Sequence, residues 1–152
     1  MQTPQSITYY AQRWTPYRVD FAAYSVLVVD DEPVARRTLV QALRSIGFFR
    51  IDQAVDGESA LAKLRGGEGY DVAISDIGMR PMDGVAFLER IRAEPSAHIR
   101  AIPVLFVTGA SDIDTVRRAS GLSPAGYVLK PAGPERLSQR LAAVLNLTPS
   151  GQ

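Results

Sequence analysis

The chain has 152 residues, 46% of them apolar and 22% charged, which suits one compact domain with a sizeable core. Its 17 basic and 16 acidic side chains leave a formal net charge of +1, so composition gives no electrostatic case for a nucleic-acid or membrane-surface partner. The absence of cysteine excludes disulfides, thiol catalysis and thiolate metal sites, and one histidine, His98, excludes a multi-histidine centre.

From residue 25 onward, short β-branched runs alternate with longer amphipathic stretches. Val26-Leu27-Val28-Val29 has the length and continuity of a strand buried on both faces. Ala35, Leu39, Leu43 and Ile46 then recur at helical spacing, and Gly47 closes that helix. Arg50 to Val55 reads as the second strand, and Asp56-Gly57 caps a helix carrying Ala60, Leu61 and Leu64 that stops at Gly66-Gly67. That glycine pair has no strand before it and no P-loop lysine after it, so it reads as a turn.

Asp71 to Ser75 forms the expected third strand, entering a loop at Asp76, and Val85, Leu88 and Ile91 mark a helix ending near Pro95. Ile102 to Val107 is the fourth strand, with Pro103 tolerable near its start. Asp112 to Ser120 reads as a short, weakly amphipathic helix, and Tyr127-Val128-Leu129 as the fifth strand. Leu137, Leu141, Val144 and Leu145 stripe the last helix. Five strand–helix repeats in this order predict a doubly wound parallel sheet with five helices distributed over both faces. His98 falls between the third helix and fourth strand as a surface loop residue, and Arg117-Arg118 read as a solvated helix face.

In a doubly wound sheet, ligands collect beyond the carboxyl ends of the strands, where strand order reverses. Asp30-Asp31 follow the first strand, Asp76 the third, Thr108 the fourth and Lys130 the fifth. Three carboxylates brought together repel one another unless a cation joins them. Oxygen ligands with room for water suit Mg²⁺, and a carboxylate held beside it can act as a nucleophile toward phosphorus. Phosphoryl transfer needs chiefly positioning and charge neutralisation, which Mg²⁺ and Lys130 would supply. Each residue alone is more often a cap or a turn residue. Asp56 and Asp83 are read that way and left out of the site.

These residues carry a family resemblance. Val26-Leu27-Val28-Val29-Asp30-Asp31-Glu32-Pro33 resembles the first strand and acidic pair of bacterial response-regulator receiver domains, including the single-domain chemotaxis type. Asp76 to Gly84 is similar to their phosphoacceptor loop, Thr108-Gly109-Ala110 to their switch threonine and its small neighbours, and Tyr127-Val128-Leu129-Lys130-Pro131 to their aromatic–lysine–proline signature. The resemblance spans roughly residues 25–146 and implies a flavodoxin-like strand order 2-1-3-4-5.

The same resemblance implies that Asp76 takes a phosphoryl group from a histidine kinase or histidine phosphotransfer protein. It implies Mg²⁺ ligation by Asp31, Asp76 and the backbone carbonyl of Gly78, with Asp30 acting mainly through bound water. Lys130 would contact the phosphoryl group, Thr108 would move toward it, and Tyr127 would turn inward as a coupled switch. A cis Lys130–Pro131 peptide is also implied. Two departures stand out. Arg80 holds the place four residues after Asp76 where many receivers have proline, with Pro81 following. Gly78 and Gly109 carry no side chain to screen the site, which suggests easy access for water or a donor.

Residues 1–24 form an aromatic-rich extension, 25–147 the receiver and 148–152 a tail. Tyr9, Tyr10, Trp14, Tyr17, Phe21 and Tyr24 are half of the chain's aromatics, with six Tyr, five Phe and one Trp in all. Tyr10, Trp14, Tyr17, Phe21 and Tyr24 share one helical face, interrupted by Pro16. Docking on the chain's own domain, on a second protomer or on a partner groove competes with a flexible leader. No run approaches the ~18 apolar residues of a membrane span, and no signal-peptide pattern begins the chain, so a cytoplasmic location is expected.

The leading functional expectation is a stand-alone phosphoacceptor, not a turnover enzyme, that switches protein binding through its fourth helix, fifth strand and fifth helix. Alternatives are a relay intermediary passing the group to another histidine protein, or a receiver excised from a larger regulator or hybrid kinase. A phosphate-ester hydrolase of the haloacid-dehalogenase type would want a second acid where Gly78 stands.

Overall fold

Short apolar strands that cannot leave backbone groups exposed pair side by side, and here five of them form one parallel sheet in the order β2-β1-β3-β4-β5. The structure is a computed structural model and describes residues 19–147; the expectations for Tyr9, Tyr10, Trp14, Tyr17 and the tail lie outside that span. The strands are β1 (Ser25–Val29), β2 (Arg50–Ala54), β3 (Val72–Asp76), β4 (Val104–Thr108) and β5 (Gly126–Leu129). Between them run α1 (Pro33–Ser45), α2 (Gly57–Arg65), α3 (Gly84–Arg92), α4 (Ala97–Arg100), α5 (Ile113–Ala119) and α6 (Pro134–Val144).

The helix count among the described residues is therefore six, one more than the periodicity suggests. The extra element is the single turn α4, which Ser96 caps through the Ile99 amide and which places His98 on a helix instead of a loop. One turn carries too few apolar positions to generate a period. Pro103 sits just ahead of β4, where its missing N–H costs nothing and its carbonyl accepts from the Ala73 amide at 2.9 Å.

Alternation along each strand divides the core. Leu27 and Val29 of β1 face α2, α3 and α5 in one buried cluster, while Val26 and Val28 face α1 and α6 in the other. Helix entries are set by local polar groups. Glu32 accepts from the Val34 and Ala35 amides and Pro33 takes the first turn of α1; Asp56 and Asp83 cap α2 and α3 as read from sequence. Gly47, at φ +112°, supplies the left-handed backbone that ends α1.

Phe21 lies within this core. It is 1% exposed and stacks on Phe48 with ring centroids 4.6 Å apart. The backbone from Phe21 to Tyr24 is a tight turn, closed by the Tyr24 amide on the Phe21 carbonyl at 3.1 Å, and not a helix.

Arg92 ties the far end of the sheet together. Its guanidinium donates to the carbonyls of Arg100 and Ile102 at 2.8 Å each, Leu122 at 3.1 Å and Ser123 at 3.2 Å. Charge-assisted bonds of this kind contribute more than neutral ones. Arg92→Met should therefore lower unfolding stability by about 2 kcal/mol in urea titrations. A loss below about 0.5 kcal/mol would show that water satisfies those carbonyls equally well.

Candidate functional site

The strand order reverses between β1 and β3, and the acidic residues gather at that point. Backbone bonds continue past the strand ends and fix the side chains that emerge there. The Asp30 amide donates to the Ala54 carbonyl at 3.2 Å, and the Lys130 amide to the Thr108 carbonyl at 2.9 Å. Asp76 is the last residue of β3, paired with Val107, so its side chain leaves from the sheet itself instead of the loop.

Asp30, Asp31 and Asp76 each offer a carboxylate oxygen, and these oxygens all lie within 4.8 Å of one another. Asp30 and Asp76 are buried, while Asp31 is exposed at the mouth. The Asp31 carboxylate accepts from the Arg80 amide at 3.2 Å, and Asp30 from the Glu32 amide at 2.9 Å. Burial pushes the Asp30 carboxyl above the ordinary value; the Glu32 amide opposes this, while the charges of Asp76 and Asp31 add to it. Hard oxygen donors in an acidic cluster are the ligand set that a divalent cation such as Mg²⁺ takes.

The Lys130 ammonium lies 3.1 Å from Asp76 Oδ1. Burial alone would lower its pKa, but the hydrogen bond and charge of Asp76, with Asp30 and Asp112 behind them, outweigh burial and raise it. Thr108 is buried at the end of β4, its hydroxyl donating to the Gly109 carbonyl at 2.9 Å. Tyr127 packs on Phe106 with centroids 5.8 Å apart, and its hydroxyl donates to the Val116 carbonyl at 3.3 Å. The Lys130–Pro131 and Arg80–Pro81 peptides are both cis.

Sequence reasoning passed over three residues that shape this rim. Arg36 donates from Nη1 to the Asp30 carbonyl at 2.8 Å. Gly84 closes on the backbone of Asp76 and Ile77. Asp112, read only as the start of a helix, lies beside Gly78 and Gly109: a Cβ on either glycine would stand 3.7 Å or 3.6 Å from its carboxylate oxygens. The space left by those two glycines is thus bordered by a carboxylate. Arg118, read as solvated, pairs with Asp83 at 2.7 Å.

A parallel 2-1-3-4-5 sheet whose switch point holds three carboxylates, a lysine and a threonine defines an acidic phosphoacceptor domain of the doubly wound class. The response regulator receiver domain model matches residues 26–142, and the chain belongs to that family. It is 32% identical over 119 residues to a chemotaxis protein CheY of Pseudomonas aeruginosa, covering 78% of this chain and 94% of that protein. The fold superimposes on Vibrio cholerae CheY4 with a TM-score of 0.72 at 31% identity, covering 82% of this chain and all of that one, a share of 100%. A signal receiver domain of a histidine kinase from Syntrophus aciditrophicus gives 0.71 at 27% identity, covering 82% and 91%. Receivers of this family serve two-component signalling as phosphoacceptors rather than turnover enzymes, with histidine kinases or phosphotransfer proteins as donors.

Proposed function

We propose that Asp76 is the residue phosphorylated and that the change of charge there switches binding of a protein partner. The observation that carries this reading is the Asp76–Lys130 contact at 3.1 Å inside the three-carboxylate cluster. A carboxylate oxygen of Asp76 attacks phosphorus, the bond from phosphorus to the donor breaks, and the leaving group departs with the electron pair. Lys130 steadies the negative oxygens of the transferring group. Asp31, Asp76 and the Gly78 carbonyl would hold Mg²⁺ directly, with Asp30 acting through water; the ion, when bound, offsets the charge of carboxylates and phosphoryl oxygens. The Gly78 amide, 3.3 Å from Asp76 Oδ1, keeps that loop against the acceptor.

Thr108 and Tyr127, one on each of two adjacent strands, form the switch pair that reads the new charge. The surface of α5, β5 and α6 then presents the output, and the exposure of Leu129 on β5 supports an apolar contact there. The cytoplasm is the proposed place of action. The burial of Phe21 supports docking of the aromatic extension on its own domain, with pairing of two protomers through that extension as the competing arrangement.

Incubation with phosphoramidate or acetyl phosphate plus Mg²⁺, followed by intact mass, should add one phosphoryl group to the parent and none to Asp76→Asn. Equal mass gain in both proteins would move the acceptor elsewhere.

A further inference from the structure

Asp112 stands at the N-terminal boundary of α5 but makes no side-chain cap bond to that helix. Its carboxylate turns back toward β4 and accepts from the Gly109 amide at 2.8 Å, while its own amide donates to the Gly109 carbonyl at 3.1 Å. The other carboxylate oxygen lies 3.7 Å from the point a Cβ on Gly78 would occupy. The Gly78 amide in turn faces Asp76 Oδ1. The Asp112 carboxylate therefore borders the space beside Gly78 and Gly109 that leads to Asp76. Lys130 feels its charge together with those of Asp76 and Asp30.

A phosphoryl donor is an anion, and entry through the space that Gly78 and Gly109 leave takes it past this fourth carboxylate. Asp112 holds a backbone N–H and shares the field of the one lysine that salt-bridges Asp76 among the described residues. We infer that Asp112 is a built-in anionic gate, holding the Gly109 amide beside the space that leads to Asp76 and yielding it when the phosphoryl group arrives. It is a positioning residue that slows phosphorylation and weights it against highly charged donors; it forms no bond to phosphorus. The inference rests on Asp76 being the acceptor. Its competitor is a purely structural role, in which the paired Gly109–Asp112 bonds simply close the turn.

Two variants separate these readings. Asp112→Asn keeps an oxygen that accepts from the Gly109 amide and removes the charge, whereas Asp112→Ala removes both. Phosphorylation rates are measured by intact mass at Mg²⁺ concentrations that saturate each protein, with acetyl phosphate and with the less negatively charged phosphoramidate. The gate predicts a rate roughly fivefold higher in Asp112→Asn with acetyl phosphate, the scale of one screened unit charge acting over several ångströms. The gain should be smaller with phosphoramidate and should shrink as salt rises. Rates within twofold of the parent in Asp112→Asn, whatever Asp112→Ala does, would leave only the turn-closing role and overturn the gate. An unchanged phosphorylation rate with a lengthened phospho-Asp lifetime would overturn it too, assigning Asp112 to hydrolysis. Asp76→Asn, run alongside, reports separately on the acceptor: mass gain there defeats the acceptor assignment, whereas a parent that phosphorylates at the rate of Asp112→Asn defeats only the gate.

Discussion

Gly84→Ala should lower stability by about 3 kcal/mol and slow phosphorylation of the fraction that remains folded by at least about tenfold. A Cβ at this position would lie 2.8 Å from the Asp76 carbonyl oxygen, 2.8 Å from the Ile77 Cα and 2.9 Å from Phe106 Cε1. Two of these neighbours are backbone atoms, which cannot swing aside as a flexible side chain would. The Gly84 amide also donates to the Ile77 carbonyl at 2.9 Å, so α3 is fastened to the acceptor strand at the place where the clash would arise. Relief requires the Asp76–Ile77 backbone to move, and displacement of a reacting group by a fraction of an ångström is costly in a reaction that depends on alignment. Gly121→Ala is the control, because a Cβ there meets nothing within 4 Å. Urea midpoints and phosphoramidate rates for the two variants check the claim; a Gly84→Ala protein that matches Gly121→Ala in both would show that the loop yields freely.

That close approach marks the boundary of what the sequence discloses. The strands were legible because buried parallel strands have short, continuous β-branched runs such as Val26 to Val29, and the large helices because Leu39, Leu43 and Ile46 keep a helical period. The rim positions of Asp30, Asp31, Asp76, Thr108 and Lys130 were legible because strand ends converge on one rim whatever the details of packing. Gly84 follows a capping aspartate and reads locally as an ordinary first helical residue; only the tertiary contact with Asp76 reveals its constraint. Asp112 was hidden for a related reason. An acid at a helix start is most simply a cap, and nothing in the linear order shows that its side chain turns away from the helix toward Gly109. Phe21 shows the same limit from the other side. Its spacing with Tyr24 suggested a helical face, while the fold uses it as a stacking partner for Phe48 at the start of a turn.

Lys130→Met should cut phosphorylation by about a hundredfold while lowering stability at neutral pH by only about 1–2 kcal/mol. The two effects have different origins. The lysine's ammonium is the cation that salt-bridges Asp76 among the described residues, so its removal leaves Asp30, Asp31 and Asp76 facing one another without that neutralising charge. Because the Lys130 side chain is 39% exposed, solvent screens the pair and the stability loss stays well below that of a fully buried ion pair. The folded-state pKa of Lys130 is raised above its ordinary 10.5, so its stabilisation is fully present below that value. It is lost as pH rises through the higher folded value. The stability difference between parent and Lys130→Met should therefore be flat from neutral pH to about pH 10 and close above it. Saturating Mg²⁺ should offset the carboxylate repulsion and restore most of the variant's stability. It should not restore phosphorylation, because the ammonium acts on oxygens that carry charge only while the phosphoryl group is being transferred. Chemical denaturation across pH, with and without Mg²⁺, read beside the acetyl phosphate rate, tests both halves. Recovery of rate together with stability would show that Lys130 serves the fold of the acidic cluster and contributes nothing of its own to the transfer.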